Sequence, residues 1–587
     1  MRRGVRLLSR EDAPQPITEQ SAVHIARRFA LRDEERAALE AGRSRIAAIA
    51  VAFSIGFAVL LARSVTVTLT PPSGPAVAAA EAVHSGARAD LVDRNGEILA
   101  TTLETHSLYA DPREVWDADE TARSLAAVLP ELDPAGIADR LRQRRAFVWV
   151  ARNLTPTQRQ AVFSLGMPGL HFVAEPRRVY PRGPLAAHVL GATDRDGVGV
   201  NGLELGLEDE IVEAGKRGRP LPLSLDMRVQ FALADELRAG MARFTAKAAA
   251  GIVMDARTGE VLAMASLPDF DPNRAGAADE NARLNRAATA QYEMGSTFKA
   301  FTVAMALEEG VATINSRFDA TEPLRVGNHT INDYHAENRI MTVQEIFEHS
   351  SNIGAAKMAM EVGGERQRAF LRGIGLMDAA PGELPEIQSP LVPTDARWGE
   401  ATIATVSYGH GMAVSELATV AAFAAIANGG NYVAPTFKVV PPGTEVAAKR
   451  VMSAGTAADV LRLMRLVVTD GTGKNAEADG FMVAGKTGTA NKAVAGGYSN
   501  TKLVTSFAAV FPFDDPRYVV HILYDEPNPT PETYGYRTAG WNAAPTVSRV
   551  VTRIAPMLGV ERREEPSSMM PAIQGAPILA SYTGGGE

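Results

Sequence analysis

Cysteine is absent from all 587 residues. That removes disulfides, thiolate nucleophiles and cysteine–zinc sites together, and it suits an oxidising compartment. The ten histidines are scattered, none in an HxxxH or HExxH spacing on a plausible helix, so no metal site and no cofactor is expected. Positive charge is also in short supply. The net charge is −8, and beyond the amino terminus no Lys/Arg block or aromatic-interleaved patch offers a footprint for nucleic acid. What is present is ordinary globular material, 46% hydrophobic and 22% charged, long enough for more than one packed domain.

One uncharged run stands apart. Residues 46–62, IAAIAVAFSIGFAVLLA, cover roughly 26 Å as a helix, short but usable for a bilayer core. Arg43 and Arg45 precede it, Arg63 follows it, and the first 45 residues hold ten arginines. Positive-inside logic predicts a cytoplasmic tail over 1–45, a single transmembrane anchor over 46–65 and export of the rest. A charged leader of that length does not fit a cleaved signal peptide.

The stretch 70–82, TPPSGPAVAAAEA, reads as a linker. The first exported region, 66–220, mixes strand-like segments such as 89–102, with a turn at Arg94-Asn95-Gly96, and helical ones such as 121–132. From Leu221 the pattern changes. A polar cap near Ser224 or Asp226 opens a helix, and two apolar, alternating runs around residues 255–260 predict a hairpin. A second such pair flanks Asp514-Asp515-Pro516. Strands from both ends with helices between them predict an α+β domain over 221–560, its antiparallel sheet assembled from its first and last parts. Residues 561–587 read as a loose tail.

Within that domain, STFKAFTVAMALEEG read as a helix from Ser296 puts Ser296 and Lys299 on one face. A lone SxxK says little, since Ser499 and Lys502 repeat it in a loop-like stretch, and a capping serine beside a solvated lysine explains either. Ser350-Ser351-Asn352 sits at the end of a helix announced by the capping-box pattern Thr342 to Glu345; alone it is a polar helix end. At 481–490, FMVAGKTGTA is an apolar strand switching to Lys486-Thr487-Gly488-Thr489. The glycine suits a ligand lying close to the backbone, or simply a bend before the Gly-rich loop 493–498.

SxxK, SxN and KTG in that order form the set carried by serine acyl-transfer enzymes that act on penicillin-like substrates. A serine hydroxyl needs a base, and here a lysine must be it. Bringing an amine from about 10.4 to 7–8 takes roughly 4 kcal/mol, which burial and the like charge of Lys486 both favour. The roles expected are Ser296 as nucleophile and Lys299 as its base, with Ser350, Asn352 and Lys486 carrying the proton to the leaving amine. The backbone N–H groups of Ser296 and Thr489 are expected to hold the oxyanion, and Thr487 and Thr489, flanking Gly488, the substrate's terminal carboxylate.

Over about residues 46–555 the chain resembles the class B penicillin-binding proteins, and among them the division-specific FtsI or penicillin-binding protein 3 group. Besides the three motifs, the resemblance rests on LVDRNGEILA (91–100), RRVYPRGPLAAHVLG (177–191), GVNGLE (199–204), LSLDMRVQ (223–230), ASLPDFDPN (265–273), LNRAATAQYEMGSTFK (284–299), SYGHGMAVSELA (407–418), IANGG (425–429) and VVTDGTGKNA (467–476). It implies a pedestal domain over 66–220, of the penicillin-binding protein dimerisation type, in front of a transpeptidase domain over 221–560. It implies cross-linking of peptidoglycan through acylation of Ser296 by a stem peptide ending in D-Ala-D-Ala. It further implies inhibition by β-lactam antibiotics, an inner-membrane location at the septum with the catalytic domain in the periplasm, and work beside a membrane glycan polymerase and other division proteins. In related pedestals, positions matching Arg94, Gly96, Arg178, Gly202 and Glu204 hold the two domains together. Met294 stands where many relatives have proline, which frees φ ahead of the nucleophile and removes no functional group. The elongation-specific sister shares all three motifs. A serine β-lactamase needs a carboxylate for deacylation and has no use for an anchor and pedestal; a β-lactam sensor needs several spans and a signalling domain; and the intact motif set argues against a purely structural scaffold.

Overall fold

The computed structural model describes residues 49–61, 88–143, 145–494 and 497–563. It divides into two units, residues 1–83 and 84–587. In the first unit the described residues form one exposed helix over 49–61. No described helix is long and apolar enough to cross a membrane; the rest of the run read as an anchor, 46–48 and 62–65, and the tail over 1–45 lie outside the described residues.

The second unit opens with a five-stranded sheet. Strands β1 (Leu91–Val92), β2 (Ile98–Ala110), β3 (Val148–Leu154) and β5 (Leu221–Pro222) lie in the order β3-β2-β1-β5, and β4 (Leu170–Val179) pairs antiparallel with β2. The expected turn is present. Asp93 accepts the backbone N–H groups of Asn95 and Glu97, at 2.8 and 2.9 Å, and Gly96 takes φ +88°. The helix read over 121–132 is α1 (Ala118–Val128) and starts earlier, because the Asp117 carboxylate caps the N–H groups of Asp119 and Glu120. It ends at Val128 because Leu129 precedes proline and leaves the helical region, at φ −129° and ψ 79°.

A buried ionic knot closes this region. Glu204, fully buried, takes Arg88 at 2.6 Å and Arg178 at 2.7 Å. Gly202, at φ +59°, lets its backbone lie against Gly191, where a Cβ would meet Gly191 N at 2.5 Å. Arg178 and Glu204 brace the pedestal itself, while Gly202 also turns its backbone N–H toward the Glu386 carboxylate of the catalytic region. Arg94 does join the two regions, its guanidinium 3.7 Å from Glu260, and other pairs add to the joint: Asp93 Oδ2 accepts Met227 N at 3.0 Å, and Asn273 and Tyr180 exchange two hydrogen bonds of 2.9 Å.

Asp226, not Ser224, caps α2 (Met227–Arg243). The central sheet contains β6 (Ala248–Asp255), β7 (Val261–Leu267), β8 (Ala484–Val494), β9 (Gly497–Phe511) and β10 (Tyr518–Asp525), in the all-antiparallel order β8-β9-β10-β6-β7. Both predicted hairpins exist, and first and last parts of the domain meet where β10 pairs with β6. Strands β6, β7 and β10 are buried along their whole length, because helices cover both sides. Ala250, Ile252 and Met254 of β6 enter one core, while Ala249 and Val253 enter the other. The first core contains α3 (Lys299–Glu308), α4 (Val343–Glu348), α5 (Asn352–Val362), α6 (Glu416–Ala427) and α7 (Ala454–Thr469); the second contains α2 and α8 (Ala543–Ile554).

Two further expectations shift. Ser499 and Lys502, read as loop-like, lie in β9, where Ser499 Oγ accepts Lys502 N at 3.1 Å. The loose tail does not begin at Glu561: Arg562 pairs with Asp479 at 2.8 Å, Arg563 pairs with Asp514, and Arg563 N donates to Gly480 O. Residues 564–587 lie outside the described residues.

Candidate active site

The nucleophile's turn differs from the helix read from Ser296. Gly295–Phe298 is a 3₁₀ turn, and the α-helix proper, α3, starts at Lys299. In a 3₁₀ turn residues three apart eclipse one another, so Ser296 and Lys299 align more closely than an α-helix would place them. Lys299 Nζ lies 3.0 Å from Ser296 Oγ.

Three glycines allow two other segments to converge on this turn. Gly295 is left-handed, at φ +56°, and a Cβ there would lie 2.7 Å from Thr489 O; a Cβ on Gly409 would lie 2.1 Å from Gly295 O. A Cβ on Gly488 would lie 2.6 Å from Met294 O and 2.8 Å from Thr297 Cγ2. The KTG glycine is thus neither at a bend nor only making room for a ligand. It lies in β8, the edge strand, and lets that strand pack against the nucleophile's own turn.

Ser350-Ser351-Asn352 is a junction between helices rather than a helix end. The predicted capping box of Thr342 and Glu345 starts α4, which ends at Glu348. Ser350 is held left-handed, φ 60°, an uncommon conformation for a residue with a Cβ. Ser351 Oγ then caps α5 through Gly354 N at 3.0 Å.

These segments gather five side chains into one cluster, three of them on the Lys299 amine. Lys299, 1% exposed, reaches Ser350 Oγ at 3.1 Å, Asn352 Oδ1 at 2.8 Å and the Ser350 carbonyl; Lys486, fully buried, reaches Ser350 Oγ at 3.0 Å. Burial foremost, then the neighbouring charge of Lys486, holds the Lys299 amine well below its usual range, against the opposing pull of Asp333. Burial alone brings Lys486 down to about 7.

Counting donors shows what a neutral Lys299 can do. It has two N–H bonds and one lone pair, and two of its four neighbours, the Ser350 carbonyl and Asn352 Oδ1, can only accept. The amide orientation follows from Asn352 Nδ2, which donates to Asn332 O at 2.9 Å. With the N–H bonds given to those oxygens, the lone pair is left for a hydroxyl, Ser296 or Ser350. A polarised serine, a base and a second hydroxyl linked to a second lysine form one hydrogen-bonded chain.

Thr487 and Thr489 are less free than expected. Thr487 Oγ1 shares a hydrogen bond of 2.8 Å with Thr472 Oγ1, and Thr489 Oγ1 accepts Ala539 N at 3.2 Å, which leaves Thr489 its proton to donate. Asp333, Asn332, Gly409 and Thr472 belong to the same constellation, and sequence reading assigned none of them a role. Gly409 and Thr472 fall within the stretches 407–418 and 467–476, whereas Asn332 and Asp333 sit in no local motif, and the partners of all four lie 15 or more residues away. Among the described residues, no group of three or more His, Cys, Asp or Glu could hold a metal.

Comparison with known proteins agrees with this architecture. The penicillin-binding protein transpeptidase domain family matches residues 249–550, and the penicillin-binding protein dimerisation domain family matches residues 83–218. The chain is 48% identical over 495 residues, 82% of its length and 83% of the other, to the probable peptidoglycan D,D-transpeptidase FtsI of Caulobacter vibrioides. It is 31% identical over 473 residues to the peptidoglycan D,D-transpeptidase FtsI of Escherichia coli, covering 76% of this chain and 80% of that one. A crystal structure of penicillin-binding protein 3 from Mycobacterium tuberculosis, complexed with aztreonam, superposes with a TM-score of 0.64 at 26% identity, over 82% of this chain and 98% of that one. Sequence, fold and the hydrogen-bonded serine–lysine chain agree, and the protein belongs to the class B penicillin-binding proteins, in their FtsI group of peptidoglycan D,D-transpeptidases.

Proposed function

We propose that this chain cross-links the stem peptides of septal peptidoglycan, with Ser296 as the acylated residue. The observation that carries the reading is the Lys299 amine, buried and depressed in basicity, within hydrogen-bond reach of both Ser296 and Ser350. Lys299 accepts the Ser296 proton as Oγ attacks the penultimate D-alanyl carbonyl. The new bond is the Ser296 ester; the bond broken is the D-Ala–D-Ala amide, and the proton returns through Ser350, poised between Lys299 and Lys486, to the departing D-alanine amine. An acceptor side-chain amine then attacks the ester by the same route in reverse. Asn352 fixes the donor face of Lys299. The N–H groups of Ser296 and Thr489 are assigned to the oxyanion; the abutment of Gly295 on Thr489 supports this, because it places those two backbones side by side. Thr489, with its free proton, and Thr487 are assigned to the substrate carboxylate, along the edge strand that carries Gly488. A β-lactam acylates Ser296 in place of the donor.

The segment 46–65, with its apolar run over 46–62, is assigned as a single membrane anchor behind a cytoplasmic tail over 1–45. The pedestal over 66–220 carries a transpeptidase domain over 221–560 in the periplasm, extended by the paired Arg562 and Arg563. Its assigned place is the inner membrane at the division septum, beside a glycan polymerase and other division proteins.

Incubation of the purified chain with a labelled penicillin, followed by intact-mass measurement, tests the chemistry. A single covalent adduct that disappears in Ser296→Ala and Lys299→Ala is expected. An adduct on Ser296→Ala would refute the assignment. A tagged copy seen along the side wall instead of midcell would refute the septal role.

A further inference from the structure

The three motifs explain which groups react, but not what holds Ser350 and Asn352 in position. Ser350 is left-handed, at φ 60°, with no glycine to ease it. Asn352 is the first residue of α5, where backbone N–H groups lack intrahelical partners. Such a segment needs an external restraint, and one is present. Asp333, in the loop 332–338 after the strand His329–Ile331, directs its carboxylate onto the start of α5. Oδ1 accepts the N–H groups of Asn352, at 2.5 Å, and of Ile353, at 3.0 Å; Oδ2 accepts the Ser351 hydroxyl at 2.6 Å. Ser351 Oγ in turn takes Gly354 N. The first three N–H groups of the helix are all satisfied, two of them by a residue nearly twenty positions back in the chain. The neighbouring Asn332 carbonyl orients the Asn352 amide, whose oxygen faces Lys299.

We propose that Asp333 is a positioning residue for the reaction: by tying Ser351 and the amino terminus of α5 to the 332–338 loop, it holds Ser350 and Asn352 where Lys299 can serve as base. This rests on the serine–lysine chemistry proposed above. An anionic carboxylate suits the place, because the helix dipole turns its positive end there. It also has an electrostatic consequence. The groups facing Lys299 are Ser296 from its own turn, Ser350 and Asn352 from the helix junction, Lys486 from β8 and Asp333 from the loop, with the His410 imidazole within electrostatic range. Asp333 is the negative charge acting on the amine, and it favours the ammonium form.

Two substitutions separate position from charge. Asn is nearly as good a helix cap as Asp, so Asp333→Asn keeps an oxygen for the two N–H groups while removing the charge. Asp333→Ala removes both. The measurement is the second-order rate of acylation by a fluorescent penicillin across pH, with thermal melting on the same samples of the full chain. Asp333→Ala is expected to lose about 10²-fold in acylation rate, the cost of misplacing reacting groups by about 1 Å. Asp333→Asn is expected to lose about tenfold or less, with the acid limb of its profile moved to lower pH. The sign follows from the charge: without the carboxylate the ammonium is less favoured, so the amine is neutral at a lower pH. A merely structural Asp333 leaves the acid limb in place, and that result, or Asp333→Ala acylating at the parental rate, overturns the proposal. Ser296→Ala run in parallel keeps the two questions apart: adduct on Ser296→Ala sinks the serine chemistry, whereas its absence together with an unmoved limb in Asp333→Asn sinks only the role given to Asp333.

Discussion

Gly488 offers a direct measure of how tightly the nucleophile's turn is clamped. A Cβ at this position would stand 2.6 Å from Met294 O, 2.6 Å from Ser506 Oγ and 2.8 Å from Thr297 Cγ2. Ordinary contact begins at 3.4 Å, so the closest approach is about 0.8 Å too short. Ser506 Oγ can swing aside, but Met294 O is backbone and lies two residues before Ser296. Relief must come from moving the 3₁₀ turn away from β8 or bowing the strand. Either change shifts Ser296 relative to Lys486 and the Thr489 backbone by a substantial fraction of an ångström. Misplacement of about 1 Å costs around 10²-fold in rate, and overpacking a well-filled site costs about 1–3 kcal/mol. Gly488→Ala is therefore expected to acylate with penicillin 10- to 10²-fold more slowly, while its melting temperature falls by only a few degrees. Gly276→Ala, where a Cβ meets nothing within 4 Å, serves as the control and should match the parent in both. Parental acylation by Gly488→Ala would show that the turn is not held by this contact, and the packing argument would fail.

Lys486→Met should abolish acylation yet raise the melting temperature, since it removes a buried amine whose basicity is depressed to about 7. Between about 7 and 10.5 the folded state binds fewer protons than the unfolded one, so the parent gains stability as pH rises. Below about 7 the folded amine is charged, its whole burial cost applies, and the advantage of methionine, read by melting across pH, is largest there. Glu204→Gln leaves the buried Arg178 guanidinium without a carboxylate and Arg88 with the Glu208 carboxylate in place of two. Chemical denaturation should show a loss of about 3–5 kcal/mol in the transition that reports the pedestal. Retention of full stability would mean that the knot is water-filled rather than dry.

Some of this architecture was written locally. The capping box of Thr342 and Glu345 and the Asp226 cap act within a few residues, so the helix starts could be read directly. Hairpin partners are close in sequence, so β6 with β7 and β9 with β10 followed from their turns. The i,i+3 spacing put Ser296 beside Lys299 whether the turn was α or 3₁₀. Order and chemistry of the three motifs identified the family and the candidate reacting groups, because hydroxyl, amine and amide are properties of residue type.

Only the tertiary structure decided how those groups behave. Nothing in Lys299 or Lys486 as residues lowers their basicity; burial among segments 51 and 136 positions apart in sequence from Ser350 does. Gly488 could be read as room for a ligand until the fold set Met294 against it, and Asp333 carried no signal until the 332–338 loop met the start of α5. A residue's chemistry and its near-neighbour geometry travel with the sequence. Proton affinity, steric clearance and restraint from afar depend on which distant segments come to lie in contact, and that is settled by packing of the whole chain.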